Sequence, residues 1–120
     1  MTDELILAKY IGFDVRDRIA FYPYDVMSDI PHVIYDDIER DEYATWKGID
    51  LKFNIDLNWI YEVVCKIQDD YNIIITYYKG LGVLKSPLID TDVYIECKNN
   101  SRAQSLFNIC VEYLKLIENK

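Results

Sequence analysis

Residues 54–79 contain the feature that most constrains this fold, a helical pattern of apolar residues that runs directly into a dense strand pattern. Asp56 precedes the helical pattern, where a short carboxylate can accept the unpaired N–H groups of a first helical turn. Asp69 and Asp70 are expected to end the helix. The spacing of the apolar residues predicts one buried face. The predicted buried residues are Leu57, Ile60, Tyr61, Val64 and Ile67, and those turned away are Glu62, Lys66 and Gln68.

Two strands are predicted after this helix. Residues 71–79 are rich in β-branched and aromatic side chains on both faces, which is typical of a central strand. Residues 80–90 contain two glycines and a proline and are expected to form a loop. Residues 91–98 alternate apolar and polar side chains, with Val93, Ile95 and Cys97 inward. We therefore expect the two strands to pair as an antiparallel hairpin.

Helices are also predicted at both ends of the chain. Residues 2–11 begin with a candidate N-cap threonine and end at Gly12, after which Phe13 is expected to turn into the core. Near the other end, Ser101 and Gln104 have the spacing of a capping box, in which each side chain binds the other residue's backbone N–H. The apolar stripe that follows consists of Ala103, Leu106, Phe107, Cys110, Leu114 and Ile117.

The middle of the chain is less regular. A strand is expected over 18–24 and another at Ile49, Leu51 and Phe53, whereas 31–46 fits a short strand, a helical turn or an exposed loop. Hairpin strands with helices between and outside them favour the α+β class. We predict an antiparallel β-sheet packed with α-helices, an α-β-α sandwich, as a single domain over 1–120. Residues 14–53 form an acidic, insertion-like segment within it.

Charge and cysteine content exclude several classes of protein. The net charge is −8, which argues against direct binding of nucleic-acid phosphates. Six of the eight net negative charges lie in 14–56, which has eleven acidic and five basic residues. Cys65, Cys97 and Cys110 lie in periodic apolar segments and are expected to be buried free thiols, as in a reducing cytoplasm. No apolar run reaches the roughly 18 residues of a membrane span.

No catalytic, metal or cofactor motif is present. His32 is the only histidine, and no nucleophile motif accompanies it. Gly80 and Gly82 lack the third glycine and the lysine of a phosphate loop. Residues 37–48 alternate at first like a calcium loop but have Glu42 where glycine is needed and Gly48 where glutamate is needed. We therefore expect a non-enzymatic protein without metal or cofactor.

Three pieces of the sequence share features with one family. Gly12 and Phe13 follow a short helix where the family has Gly-Trp, and Asp56 precedes a run at 61–67 similar to the family's Trp-Glu-Val-Val-x-Lys-hydrophobe. Residues 101–117 resemble its closing Ala-rich helix. In these features the chain resembles the phage ABA sandwich domain family. This resemblance implies an antiparallel sheet covered by helices, a phage or prophage origin, and a location in the cytoplasm of a bacterial host.

A dense acidic–aromatic group lies within 35–46. It consists of Tyr35, Asp36, Asp37, Glu39, Asp41, Glu42, Tyr43 and Trp46. Its five carboxylates repel one another around a single base, Arg40, while tyrosine and tryptophan supply the contact area that interfaces favour. One interpretation is a solubilising surface above core aromatics. The functional interpretation is an interface through which a phage inhibitor binds a basic host defence protein stoichiometrically.

Two other functions remain open. A sponge for a nucleotide immune signal requires aromatic rings for the base and cations for the phosphates. The candidate cations are Arg16, Arg18, Lys47, Lys52 and Arg102, the last at the start of a helix. The third function is that of a phage accessory structural protein. A homo-oligomer is compatible with all three.

Overall fold

The structure, a computed structural model, describes residues 2–21, 31, 34, 51–86 and 93–118. These residues form three α-helices and two antiparallel sheets. The predicted α+β class, with antiparallel strands and helices packed on them, is confirmed. The chain forms two compact units, Met1–Lys52 and Phe53–Lys120.

The first unit contains helix α1 (Asp3–Ile11), as predicted. Thr2 occupies the N-cap position without a side-chain capping bond, and Gly12 ends the helix with a φ of 121°, a value that glycine adopts easily. Phe13 is buried, and its N–H donates to the Ala8 carbonyl at 2.9 Å. The local signals at this end of the chain therefore identified the helix and its exit correctly.

A short hairpin packs on α1. Its strands are β1 (Asp14–Arg16) and β2 (Ile19–Phe21), of which only β2 overlaps a predicted strand. Asp17 and Arg18 between them have φ values of 51° and 66°, as a two-residue type I′ turn requires. The sequence has no Asn-Gly signal there, so β1 was not expected.

The second unit begins with helix α2 (Leu57–Tyr71). The predicted N-cap is confirmed, because Asp56 Oδ1 accepts the Asn58 N–H at 2.9 Å. The predicted end at Asp69 and Asp70 is wrong. Lys66 Nζ lies 2.8 Å from Asp70 Oδ2 across one turn, which supports helix where a stop was expected. The helix ends two residues later, at left-handed Asn72.

The buried face of α2 is rotated relative to the prediction. The buried residues are Trp59, Ile60, Val63, Val64 and Ile67. Leu57 and Tyr61 are 37% and 40% exposed, so their assignment to the core is wrong. Trp59 is buried instead. Its ring packs edge-on against the Phe53 ring, with 5.2 Å between the two ring centroids. The strand predicted through Leu51 and Phe53 is also wrong, because Phe53 lies in the turn that carries it against Trp59.

A three-stranded antiparallel sheet follows α2. Its strands, in spatial order, are β3 (Ile74–Tyr78), β4 (Leu81–Lys85) and β5 (Tyr94–Lys98). The loop predicted over 80–90 is therefore wrong at 81–85, and β4 rather than β3 is central. Lys79 and Gly80, with φ values of 46° and 86°, form a second type I′ turn and reverse the chain within two residues.

Helix α3 (Arg102–Glu118) packs on this sheet and on α2. The predicted stripe is confirmed except that Ile117 is only half-buried, and the buried surface also includes Ser105, Ile109, Val111 and Tyr113. Half of the capping box is confirmed, because Ser101 Oγ accepts the Gln104 N–H at 3.2 Å. The other half is wrong, because Asn99 Oδ1, two residues away, takes the Ser101 N–H at 2.9 Å.

The three cysteines differ in environment. All are free, but Cys65 is exposed and Cys97 half-buried, so burial of all three is wrong. Cys65 lies on the side of α2 opposite its buried face. Cys110 is buried, and its apolar surroundings raise the pKa of its thiol because they disfavour the thiolate.

Candidate functional site

One end of the three-stranded sheet brings together two distant parts of the sequence. Tyr78 pairs with Leu81, and Leu81 pairs with Lys98. The ladder continues beyond the strands, because the Asn99 N–H donates to the Gly80 carbonyl at 2.9 Å. The β3–β4 turn and the β5–α3 junction are therefore tied side by side.

A depression of about 360 Å³ lies between this turn and this junction. We call it the turn depression. It is lined by Lys79, Gly80, Leu81, Lys98, Asn99 and Asn100. Both lysines are exposed and neither forms an ion pair within the described residues. The lining thus offers two cations and two carboxamides and contains no carboxylate, in a chain whose net charge is −8.

Two tyrosines flank the turn depression from opposite faces of the sheet. Tyr78 is 71% exposed, and Lys79 Nζ lies 5.3 Å from the centroid of its ring. Tyr77 points the other way, and its hydroxyl lies 2.7 Å from the Asn99 carbonyl and 3.2 Å from the Asn100 carbonyl. This hydroxyl fixes the β5–α3 junction and leaves the side chains of the two asparagines to line the depression.

Arg102 lies beside this arrangement but does not line the turn depression. Its guanidinium carbon is 5.3 Å from the centre of the Tyr77 ring, and Nη1 donates to the Tyr61 hydroxyl at 3.5 Å. It is held by aromatic groups, and no ion pair to it occurs within the described residues. An exposed cation stacked on an aromatic ring stabilises the folded protein only modestly.

The other cations predicted for a nucleotide belong to the first compact unit. Arg16 and Arg18 are exposed on the β1–β2 hairpin, where Arg16 Nε lies 3.1 Å from Asp14 Oδ2. Lys52 is half-buried, and Lys47 lies outside the described residues. Within the second unit, the predicted cation Arg102 adjoins the turn depression. Sequence reasoning missed Lys79, which lies in the β3–β4 turn, and Lys98, which ends β5.

The sheet face that carries Tyr78 and Lys98 has another lysine and another exposed tyrosine at its opposite end. Their environment is different. Lys85 and Tyr94 pair across β4 and β5, and Tyr94 is 57% exposed. The Tyr94 hydroxyl donates to Glu96 Oε1 at 2.6 Å, a bond that raises the pKa of this tyrosine. A carboxylate therefore accompanies the cation and the ring at this end, which makes Lys85 and Tyr94 matched controls.

The acidic–aromatic group lies entirely outside the described residues and stays a prediction. His32 lies outside them as well. Near the group, Ile34 is buried and helical, and its N–H donates to the Pro31 carbonyl at 3.1 Å. The three alternatives for 31–46 stay open, because 32–33 and 35–46 lie outside the described residues.

Two other features are absent from the described residues. In the described ranges, no three His, Cys, Asp or Glu side chains are grouped as metal ligands. Over the same ranges, no helix has the length and apolar character needed to cross a membrane.

No family model, no curated protein and no solved structure matches this chain. The resemblance to the phage ABA sandwich domain family stays a prediction.

Proposed function

We propose that this protein is a non-enzymatic binding protein that takes up a phosphate-bearing anion in the turn depression. The observation that carries this proposal is the lining itself, in which Lys79 and Lys98 stand with two asparagines and without a carboxylate. Ammonium groups form short, charge-assisted hydrogen bonds with phosphate oxygens. Carboxamide N–H groups add neutral donors to the same anion.

The same lining favours binding over reaction. It holds hydrogen-bond donors, and it has neither a nucleophile paired with a base nor a carboxylate that would take up a proton. The protein would therefore act by stoichiometric capture. In a phage-infected bacterium, this corresponds to a sponge that sequesters a nucleotide immune signal.

Replacing either lysine of the turn depression should weaken anion binding. Lys79→Gln and Lys98→Gln are each expected to lower the affinity for inorganic pyrophosphate about tenfold, because each removes a charge-assisted hydrogen bond. Lys85→Gln, which removes the same charge from the other end of the sheet, is expected to leave the affinity within about twofold. Isothermal titration calorimetry of the three variants makes the comparison. Equal losses in all three would mean that only net charge matters and would contradict a defined site.

A second proposal concerns the acidic–aromatic group and rests on its five carboxylates around one base. We propose that this group binds a basic surface on a host defence protein. Association of opposite charges slows as salt screens them, over about 8 Å at physiological ionic strength. The two proposals rest on different residues, so both can be true of one chain.

Neutralising the group separates the two proposals. Changing Asp36, Asp37, Glu39, Asp41 and Glu42 to Asn or Gln is expected to abolish capture of a basic partner. Pyrophosphate binding should stay the same or tighten, because the protein repels the anion less. A pull-down from host lysate and a calorimetric titration test the two arms. Full capture of the partner by the neutralised variant at low salt would contradict the acidic interface.

A further inference from the structure

We infer that the ligand of the turn depression is a nucleotide with at least two phosphate groups, whose base stacks on Tyr78. This inference rests on the proposed phosphate-binding function. It adds that the site recognises the aromatic base as well as the charge.

Tyr78 has the position and exposure that a stacking platform needs. It is 71% exposed and lies in one row across the sheet with Leu81 and Lys98, both of which line the turn depression. A base on this ring would therefore have its phosphates within the reach of the lysine side chains. Stacking on a tyrosine accepts any base, since every base presents a π-face.

The Lys79 ammonium can exchange the Tyr78 ring for a phosphate group of the ligand. It lies 5.3 Å from the centroid of the Tyr78 ring and has no carboxylate partner within the described residues. A phosphate is a stronger partner for an ammonium group than an exposed ring is. Binding would move Lys79 onto the phosphate and leave the ring to the base.

Asn100 supplies a free carboxamide in the lining of the turn depression. The Asn99 carboxamide is partly used, because its oxygen Oδ1 accepts the Ser101 N–H and only its NH₂ group is left as a donor. That of Asn100 makes no side-chain hydrogen bond within the described residues, and its Oδ1 lies 3.5 Å from where a Cβ at position 80 would stand. One donor and one acceptor side by side match the edge of a base or the hydroxyls of a ribose.

The size of the depression fits an organic ligand. Small-molecule sites are commonly roughly 300–1,000 Å³, and this one is about 360 Å³. The apolar side chain of Leu81, half-buried, forms part of its surface. Phosphate alone would make no use of an apolar contact or of an exposed ring.

The test compares ADP with inorganic pyrophosphate, which carries a similar charge without the base. Calorimetric titration of the intact protein is expected to give about tenfold tighter binding of ADP. Tyr78→Leu should abolish this preference and leave pyrophosphate binding unchanged, whereas Tyr78→Phe should keep it. Tyr94→Leu, the matched exposed tyrosine, should change neither affinity.

The possible outcomes separate this inference from the function on which it rests. Equal affinities of the unchanged protein for ADP and pyrophosphate would overturn base recognition and leave phosphate binding standing. A preference for ADP that persists in Tyr78→Leu would likewise overturn base recognition by Tyr78 and leave phosphate binding standing. Binding of neither compound would overturn both proposals. Thermal unfolding of each variant shows that it is folded, and Tyr78→Phe guards against a loss of structure in Tyr78→Leu.

Discussion

Replacing Trp59 by alanine is expected to destabilise the protein by about 3–5 kcal/mol, the usual cost of removing a large aromatic side chain from a core. Trp59 is fully buried on α2, and its ring meets Phe53 edge-on. Truncation removes this contact and leaves a cavity that the surrounding helix and turn can fill only in part. Chemical denaturation, followed by circular dichroism, measures the free energy of unfolding.

The control for this prediction is on the same helix. Leu57→Ala removes an apolar side chain that is 37% exposed and is expected to cost less than about 1 kcal/mol. Similar costs for the two substitutions would contradict the rotated buried face of α2.

Gly82→Ala is expected to destabilise the protein by about 1–3 kcal/mol through overpacking. Gly82 lies on the central strand β4, directly under α3. A Cβ at this position would stand 2.5 Å from Ile109 Cδ1 and too close to Ser105 Oγ, which donates to the Cys97 carbonyl at 3.0 Å. The helix must therefore shift or the hydrogen bond must break. Denaturant unfolding again gives the free energy.

A double-mutant cycle supplies the control for Gly82. Ile109→Val removes the Cδ1 methyl and alone should cost about 0.5–1.5 kcal/mol. Combined with Gly82→Ala, it should cost less than the sum of the two by at least about 0.5 kcal/mol, because the smaller side chain makes room for the new methyl group. Strict additivity would show that the two positions do not collide.

Local sequence signals predicted the parts of the fold that are decided within a few residues. Asp56 and Ser101 cap their helices because a short polar side chain reaches the N–H groups of the next turn. Gly12 ends α1 because the chain needs a positive φ there. These signals involve no distant partner, so a sequence can display them.

Strand β4 was missed because of two glycines, one in the turn before it and one within it. Gly80 and Gly82 looked like loop residues, yet Gly80 completes a tight turn and Gly82 admits a helix from the far end of the chain. In a strand, glycine often marks such a close approach of another element. Without β4, the predicted hairpin paired the wrong strands.

The candidate site was missed for the same reason. Lys79, in the β3–β4 turn, and Lys98, at the end of β5, are nineteen positions apart. They reach the same end of the sheet because β4 pairs with both β3 and β5. Pairing the 71–79 strand directly with the 91–98 strand omits the row Tyr78–Leu81–Lys98 that places the second lysine beside the first turn. The missed signal was one lysine in the turn after β3 and another at the end of β5. The correct strand register puts both at the same end of the sheet.

Tyr61 shows how a helix face can be misjudged. Its aromatic ring fits the apolar stripe by spacing, but the buried face is centred between Trp59 and Ile67 and leaves Tyr61 at its margin. There its hydroxyl meets the Arg102 guanidinium. Amphipathic side chains of this kind satisfy a hydrophobic pattern without being core residues.

The most direct test of phosphate binding at the turn depression is to locate the bound anion by NMR. Amide ¹H–¹⁵N spectra of the intact protein, recorded as pyrophosphate is added, report every backbone position at once. We expect the largest, saturable shifts at residues 79–81 and 98–100, with little change at Lys85 and Tyr94. Larger shifts at Arg16 and Arg18 of the β1–β2 hairpin, or no saturable shift at millimolar pyrophosphate, would contradict the proposed site.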